Sequence, residues 1–414
     1  MPMNVLLLSH EPLLPPTGGG SSEAVYLVEE LLHRGHRVVF AGPLHPGTST
    51  DDIQEKLPIE IHPFIAWGMG RYTSLRTVKY LLYPWFLARL VRRILRQNAC
   101  DVIVSQHAIS SVAAGWIHRR TQVPVVMNFL DFLTGFMESW PWWKMPRPLL
   151  RVLNRFELSM PCRYGAEGVL TVSDALRNRF MASGYPGEKC QTMYFGFDDR
   201  LFPFARRPDS PADEDRECIL AMHGSMDTHH IGPILEGAIH SLASAGAGGF
   251  RFRLRFIGKV TPALQSFLNR AEKAGLSQYL ECTGFIPYER IAAALEDVHI
   301  GLVPYESSEG SHCAFVAKAI EYLACGIPVV STPLEGLKAG FHDSPGIRFS
   351  EFDSQSLSSA ILSLWKNYPS TEELADISRT IHRDFDWRVL CRNAVDFIES
   401  RYKESASASP SGVR

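Results

Sequence analysis

Two short segments of the chain combine residue types that suit phosphate and sugar chemistry. Pro15-Pro16-Thr17-Gly18-Gly19-Gly20-Ser21-Ser22-Glu23 lies between an apolar run and a helical pattern, so Gly18, Gly19 and Gly20 stand where a strand end meets a helix N-terminus. Lacking Cβ atoms, these residues let backbone N–H groups approach an anion closely, and the helix dipole favours negative charge there. The spacing fits neither the G-x-G-x-x-G dinucleotide fingerprint nor a Walker loop with its lysine, and a ligand-free tight turn is the plainer alternative. In Lys318-Ala319-Ile320-Glu321-Tyr322-Leu323-Ala324-Cys325-Gly326-Ile327-Pro328-Val329-Val330-Ser331-Thr332, a helix with one acidic residue stops sharply and gives way to a buried strand. That order sets Glu321 beside a sheet-edge crevice, where its carboxylate can accept a bond from each of two ribose hydroxyls.

The elements that must position these residues read as alternating strands and helices. Strand-like runs at Val5 to Leu8, Arg37 to Ala41, Val102 to Ser105, Val123 to Asn128 and Gly168 to Val172 are separated by helical segments, the first from Ala24 to Leu32. This is the order of a parallel, doubly wound sheet. Arg34-Gly35-His36 closes the first helix with glycine where a left-handed backbone is needed. A second series follows, with strands at Cys218 to His223, Arg253 to Ile257, Tyr279 to Thr283, Ile300 to Pro304 and Pro328 to Ser331. Its expected helices are Ile234 to Ser244, Leu264 to Ala274, Tyr288 to Leu295 and Ala317 to Ala324. The expected organisation is a domain over 1–203, a polar linker over 204–217, a second domain over 218–385, a closing helix over 386–403 that packs back on the first domain, and a disordered tail over 404–414.

Composition narrows the class. With 414 residues, 45% hydrophobic and 21% charged, the chain has room for two cores. A net charge of −2 gives no global pull toward nucleic acid. The eight cysteines show no zinc-ligand spacing and suit reduced thiols, and no run reaches the ~20 apolar residues of a membrane span. The first residues read as a buried strand and not as a signal peptide, so a cytoplasmic protein is expected.

The segment around Glu321 resembles the donor-binding motif of family-four retaining glycosyltransferases, a group-1 type with the GT-B fold. Arg34-Gly35-His36-Arg37-Val38, Val172-Ser173-Asp174-Ala175-Leu176, Phe195-Gly196-Phe197-Asp198 and Cys282-Thr283-Gly284-Phe285-Ile286-Pro287 resemble other stretches of that family in order and spacing. The resemblance implies two Rossmann-like doubly wound domains with a deep interdomain cleft, a UDP- or GDP-sugar held by the second domain, retention of configuration and no metal. No cofactor is expected beyond the nucleotide sugar, and no acidic Asp-x-Asp metal pair stands out between the strands. The resemblance also sets Phe285 and Ile286 against the donor base.

By the same match Asp131, presented at the end of the strand segment Pro124 to Phe132, contacts the donor sugar or receives the acceptor proton; a turn or helix-capping aspartate is the alternative. His107, at the end of the preceding strand, could line the acceptor site or serve as a hydrogen-bonded structural residue. Two departures from the family stand out. Cys313 replaces the first glutamate of the donor motif, and the Arg and Lys that brace the diphosphate are missing after Gly224, where the chain runs Gly224-Ser225-Met226-Asp227-Thr228-His229-His230. His229 and His230, Lys259 and Lys318 are the groups left to meet the leaving phosphate's charge. For Lys318 an ion pair with Glu321, three residues on, is the alternative.

Residues 71–96 hold seven Lys or Arg and no acid among large apolar side chains, and 140–147 is rich in tryptophan. Both suit peripheral contact with an anionic membrane, the inner face of the cytoplasmic membrane included, and a glycan or lipid-linked acceptor; packing on the sheet is the alternative. The expected activity is hexosyl transfer in cell-surface polysaccharide or glycolipid synthesis. A catalytically degenerate nucleotide-sugar or glycan binding protein and a GT-B nucleotide-sugar epimerase are the rivals.

Overall fold

The computed structural model describes residues 2–16, 19–64, 76–205, 216–245, 250–341 and 344–408, without the side chains of 76–81 and 408. Gly18, the start of the 71–96 patch, most of the 204–217 linker and the end of the tail therefore lie outside the described residues. The chain forms two compact units, one of Met1–Thr134, Pro146–Phe195 and Trp387–Arg414, the other of Gly135–Met145 and Gly196–Asp386. The crossing falls at Gly196 and not after residue 203, because Phe197 already donates its N–H to the carbonyl of Phe385 in the second unit.

The first unit is built on seven parallel strands: β1 (Asn4–Leu8), β2 (Arg37–Pro43), β3 (Glu60–Phe64), β4 (Val102–Gln106), β5 (Val125–Phe129), β6 (Gly168–Thr171) and β7 (Cys190–Thr192), in the order β3-β2-β1-β4-β5-β6-β7. Helices cover both faces, so the central strands read as largely apolar runs such as Val5-Leu6-Leu7-Leu8, every residue of which is buried. From β1 the chain goes out to β2 on one side and later to β4 on the other, and the diverging connections leave a crevice at the strand ends.

The C-terminal helix Trp387–Ala408 packs on the helix Gly19–His33. Trp387 is buried and its ring lies parallel to that of Tyr26, with centroids 6.2 Å apart. Arg34 donates to Glu30 and Asp396, and His36 lies 3.1 Å from Glu399, so the Arg-Gly-His turn fastens this helix. Truncating a tryptophan so placed costs about 3–5 kcal/mol.

The second unit repeats the plan with β8 (Cys218–His223), β9 (Phe252–Ile257), β10 (Leu280–Gly284), β11 (Ile300–Val303), β12 (Val329–Ser331) and β13 (Ile347–Phe349), ordered β10-β9-β8-β11-β12-β13 and all parallel. Here the connections diverge between β8 and β11. The helices Ser354–Lys366 and Thr371–Phe385, outside the sequence expectation, complete the unit, and the latter opens with a reciprocal Ser370/Glu373 cap. The final helix runs to Ala408, five residues into the expected disordered tail. No described helix is long and apolar enough to cross a membrane, and none of the eight cysteines forms a disulfide.

Candidate active site

In the second unit β8 ends at His223 and the chain turns through Gly224 at φ +85°, a backbone that L side chains rarely adopt. Gly224 donates its N–H to the Ile257 carbonyl at 2.9 Å, and Gly258 donates to the Gly284 carbonyl at 2.9 Å, which ties together the ends of β8, β9 and β10. A Cβ on Gly258 would collide with the Gly224 backbone.

Lys318 enters this turn from the helix Ala317–Ala324. Its Nζ donates to the Ser225 carbonyl at 3.1 Å and stands 5.6 Å from the Tyr305 ring centroid, while a Cβ on Gly224 would touch its Cε at 3.2 Å. Burial pushes this ammonium down to about 8, although Glu321 and Asp227 partly restore it. Lys318 does not bond Glu321, so the alternative of a helical ion pair is not what the side chain does.

His229 and His230 stack at 3.8 Å, and His230 Nδ1 accepts the Asp227 N–H at 2.9 Å. Burial drives His229 down to about 4 and His230 well below its ordinary value, with Lys318 adding to both. Burial thus disfavours positive charge on both rings, against the expectation that they supply it. Lys259 is exposed directly after Gly258.

Glu321 is 5% exposed and held on both oxygens: Oε2 accepts from His223 Nε2, and Oε1 accepts from the Tyr288 hydroxyl at 2.7 Å. A carboxylate has about four acceptor directions, so lone pairs remain on each oxygen, in a fixed orientation. His223 Nδ1 is buried with no hydrogen-bond partner among the described residues. Phe285 is 75% exposed after β10 and Ile286 is half-buried. Cys313 is fully buried in the short helix Glu309–Cys313.

The first unit gathers a second set. Gly19 and Gly20 form the first turn of the helix, which starts five residues before the expected Ala24, so their N–H groups have no acceptor within the helix itself. A Cβ on Gly20 would lie 2.9 Å from His107 Nε2 and 3.1 Å from Glu11 Oε2, and one on Gly19 would press on the Phe195 ring at 3.0 Å. His107 follows β4 with φ +62°, a strained value for a residue with a side chain. Its Nε2 stands 3.7 Å from Glu11 Oε2, and His10 meets its ring edge-on at 4.6 Å. Burial works against charge on His107, but the Glu11 carboxylate, with Asp131 and Glu23, outweighs it and raises the pKa.

Asp131 is half-buried two residues beyond β5, and its charge acts on His107, Glu23 and Glu157. Glu23 is fully buried; Oε1 accepts from Asn128, Oε2 has no partner among the described residues, and burial pushes the group up to about 8. Glu157, pushed up to about 7 by burial, accepts the N–H groups of Leu133 and Thr134 at 3.0 and 2.8 Å. Glu11, Glu23, His223 and Tyr288 were not singled out from sequence. Only Glu23 and Glu11, adjoining the glycine loop and the end of β1, carried a positional signal there.

Among the described residues one carboxylate triad, Asp198, Asp199 and Asp386, is close enough to hold an ion. Arg200 already binds Asp198 through two nitrogens at 3.0 and 2.8 Å.

The chain matches two family descriptions, Glycosyltransferase Family 4 over residues 17–201 and Glycosyl transferases group 1 over residues 219–367. It belongs to this family of glycosyltransferases, and its two parallel α/β domains are those of the GT-B fold. A relative described as "Putative colanic acid biosynthesis glycosyltransferase WcaL", from Escherichia coli (strain K12), is 25% identical over 239 residues, 56% of each chain. The chain thus spans little more than half the length of the curated relatives it matches. Sucrose-phosphate synthase from Thermosynechococcus elongatus shares the fold with a TM-score of 0.74 at 15% identity, over 98% of this chain and all of that one. Anabaena Alr3699/HepE, solved in complex with UDP-glucose, does so with a TM-score of 0.67 at 15% identity, over 96% of this chain and all of that one.

Proposed function

We propose that the protein transfers a hexosyl group from a UDP- or GDP-sugar to a glycan or lipid-linked acceptor, with retention and without a metal, in the synthesis of a surface polysaccharide or glycolipid. The observation that carries the donor half is the Lys318 ammonium at the Gly224-Ser225 turn, a desolvated cation beside backbone that only glycine supplies. The departing diphosphate gains charge as the glycosidic bond breaks, and a cation fixed in a dry site stabilises that charge without reorganising. Glu321, oriented by His223 and Tyr288, is the ribose acceptor in this reading. Anabaena HepE, a relative in fold, binds UDP and UDP-glucose, which supports a nucleotide-sugar donor.

We assign the acceptor hydroxyl and the reacting sugar to Asp131 and His107 of the first unit. With retention, the leaving phosphate itself can take the acceptor proton, and Asp131 and His107 then orient and polarise rather than store that proton. A cytoplasmic location is what this chemistry leads us to expect, because nucleotide sugars are made there.

Incubation with a panel of nucleotide sugars and membrane extract tests the reading. Release of nucleoside diphosphate that depends on the extract, with an α-linked product from an α-linked donor, supports retaining transfer. Donor binding without turnover identifies a binding protein, and an altered sugar without an acceptor identifies an epimerase.

A further inference from the structure

The charge of this near-neutral chain is sharply segregated. Three helices of the first unit, Arg76–Ile94, His107–Thr121 and Arg147–Tyr164, pack side by side, the middle one against each of the others. They connect β3, β4, β5 and β6, which advance one way across the sheet, so right-handed crossovers put all three on the same face. Together they contain eleven arginines and lysines and a single acidic residue, Glu157, which is buried. The whole chain has 42 basic and 44 acidic residues, so acid has been kept off this layer.

The same layer shows water an unusual set of large apolar side chains. Leu82, Trp85, Trp116, Leu149 and Val152 are between 37% and 64% exposed. On Arg147–Tyr164 the inward face is Leu150, Glu157, Met160 and Tyr164. At 100° per residue the outward face divides into Arg151 and Arg155 along one flank and Leu149 and Val152 along the other. Arg151 and Arg155 make no hydrogen bond or ion pair among the described residues. Arg76–Ile94 repeats the arrangement with Leu82 and Trp85 followed by exposed Arg89 and Arg93.

A soluble surface gains nothing from such side chains, since isolated arginines without acids repel and the indoles remain hydrated. An anionic bilayer satisfies both: guanidinium groups bind lipid phosphates while Trp and aliphatic side chains enter the headgroup and acyl boundary. We propose that this three-helix face docks in plane on an anionic lipid bilayer. The contact uses none of the residues assigned to donor or acceptor chemistry, so it stands whether or not the proposed transfer is correct.

Co-sedimentation with vesicles of equal parts phosphatidylglycerol and phosphatidylcholine, and with phosphatidylcholine alone, tests this on the full chain. Wild type should bind the anionic vesicles, release them at high salt and ignore the neutral ones. The quadruple variant Arg89→Glu, Arg93→Glu, Arg151→Glu, Arg155→Glu should bind roughly a hundredfold more weakly. The milder Trp85→Ser, Leu149→Ser, Val152→Ser set should also weaken binding while a thermal melt shows a folded protein. Failure of wild type to bind anionic vesicles, or equal binding by the charge-reversed protein, overturns the proposal. A dimer in size-exclusion chromatography that the serine set dissolves, with no vesicle binding by wild type, assigns the face to a second copy instead and likewise overturns it.

Discussion

Lys318 and Ser225 lie 93 positions apart, yet the lysine's Nζ donates to the serine's carbonyl oxygen at 3.1 Å, at the turn that leaves β8. This contact supplies the positive charge that no arginine provides in the Gly224-to-His230 segment. Replacing Lys318 by Met should weaken UDP binding about tenfold to a hundredfold, the range for a charge-assisted hydrogen bond in a dry site. Thermal stability at pH 7 should not fall, because the variant also removes a desolvated charge. Calorimetric titration and a thermal melt check the two halves.

The same lysine gives binding a pH dependence of definite sign. Burial holds it to about 8 in the free protein, and a bound diphosphate raises that value. Below pH 8 the lysine is charged before and after binding, so affinity is flat; above pH 8 binding must take up a proton, so affinity falls as pH rises. Titration at pH 9 in buffers of different ionisation heat should show proton uptake by wild type and none through this site in Lys318→Met.

Glu321→Ala should abolish nucleotide binding. Tyr288→Phe and His223→Asn should each weaken it by roughly fivefold to a hundredfold, since each leaves the buried carboxylate with one fixed donor fewer. Nucleotide titrations of the three variants, with melts to confirm folding, are the check; wild-type affinity in Glu321→Ala would contradict its role.

In the first unit, variants should separate turnover from donor binding. Asp131→Ala should slow transfer while largely keeping UDP affinity. Gly20→Ala should do the same by at least about tenfold, because its Cβ would sit 2.9 Å from His107 Nε2 and tighter than ordinary contact to Glu11, forcing both to move. Glu11→Gln removes the carboxylate that raises the His107 pKa, so any limb of the rate profile set by His107 should shift to lower pH. Rate profiles and UDP titrations measured side by side decide these points.

Glu23 predicts a stability trend. Its folded value of about 8 lies above the ordinary 4.5, so the folded protein binds more protons than the unfolded chain between those values. Stability from this group is therefore present below pH 4.5 and is lost as pH rises through 8. Glu23→Gln, which keeps a bond with Asn128 available, should flatten the fall in melting temperature between pH 5 and 8.

The two sheets were legible because strands buried on both faces, such as β4, β5 and β8, leave runs that are mostly apolar. The short edge strands β3, β7 and β13 were not: Glu60-Ile61-His62-Pro63-Phe64 is mixed, half exposed and carries a proline, so neither alternation nor a run marks it. The helix start at Gly19 was hidden by the low helical propensity of glycine, which close packing against Phe195, His107 and Glu11 overrides. Glu321 was visible from its helix, stop and strand, but His223 and Tyr288, 98 and 33 positions away, hold it only through tertiary structure. The burial that lowers the pKa of His229 and His230 and encloses Cys313 has no local signal either.

A crystal structure with UDP bears most directly on the donor site. The account predicts diphosphate oxygens within hydrogen-bond distance of Lys318 Nζ at the Gly224-Ser225 turn, with ribose hydroxyls on Glu321. Nucleotide bound elsewhere, with Lys318 still on the Ser225 carbonyl and Glu321 still engaged only by His223 and Tyr288, would contradict it.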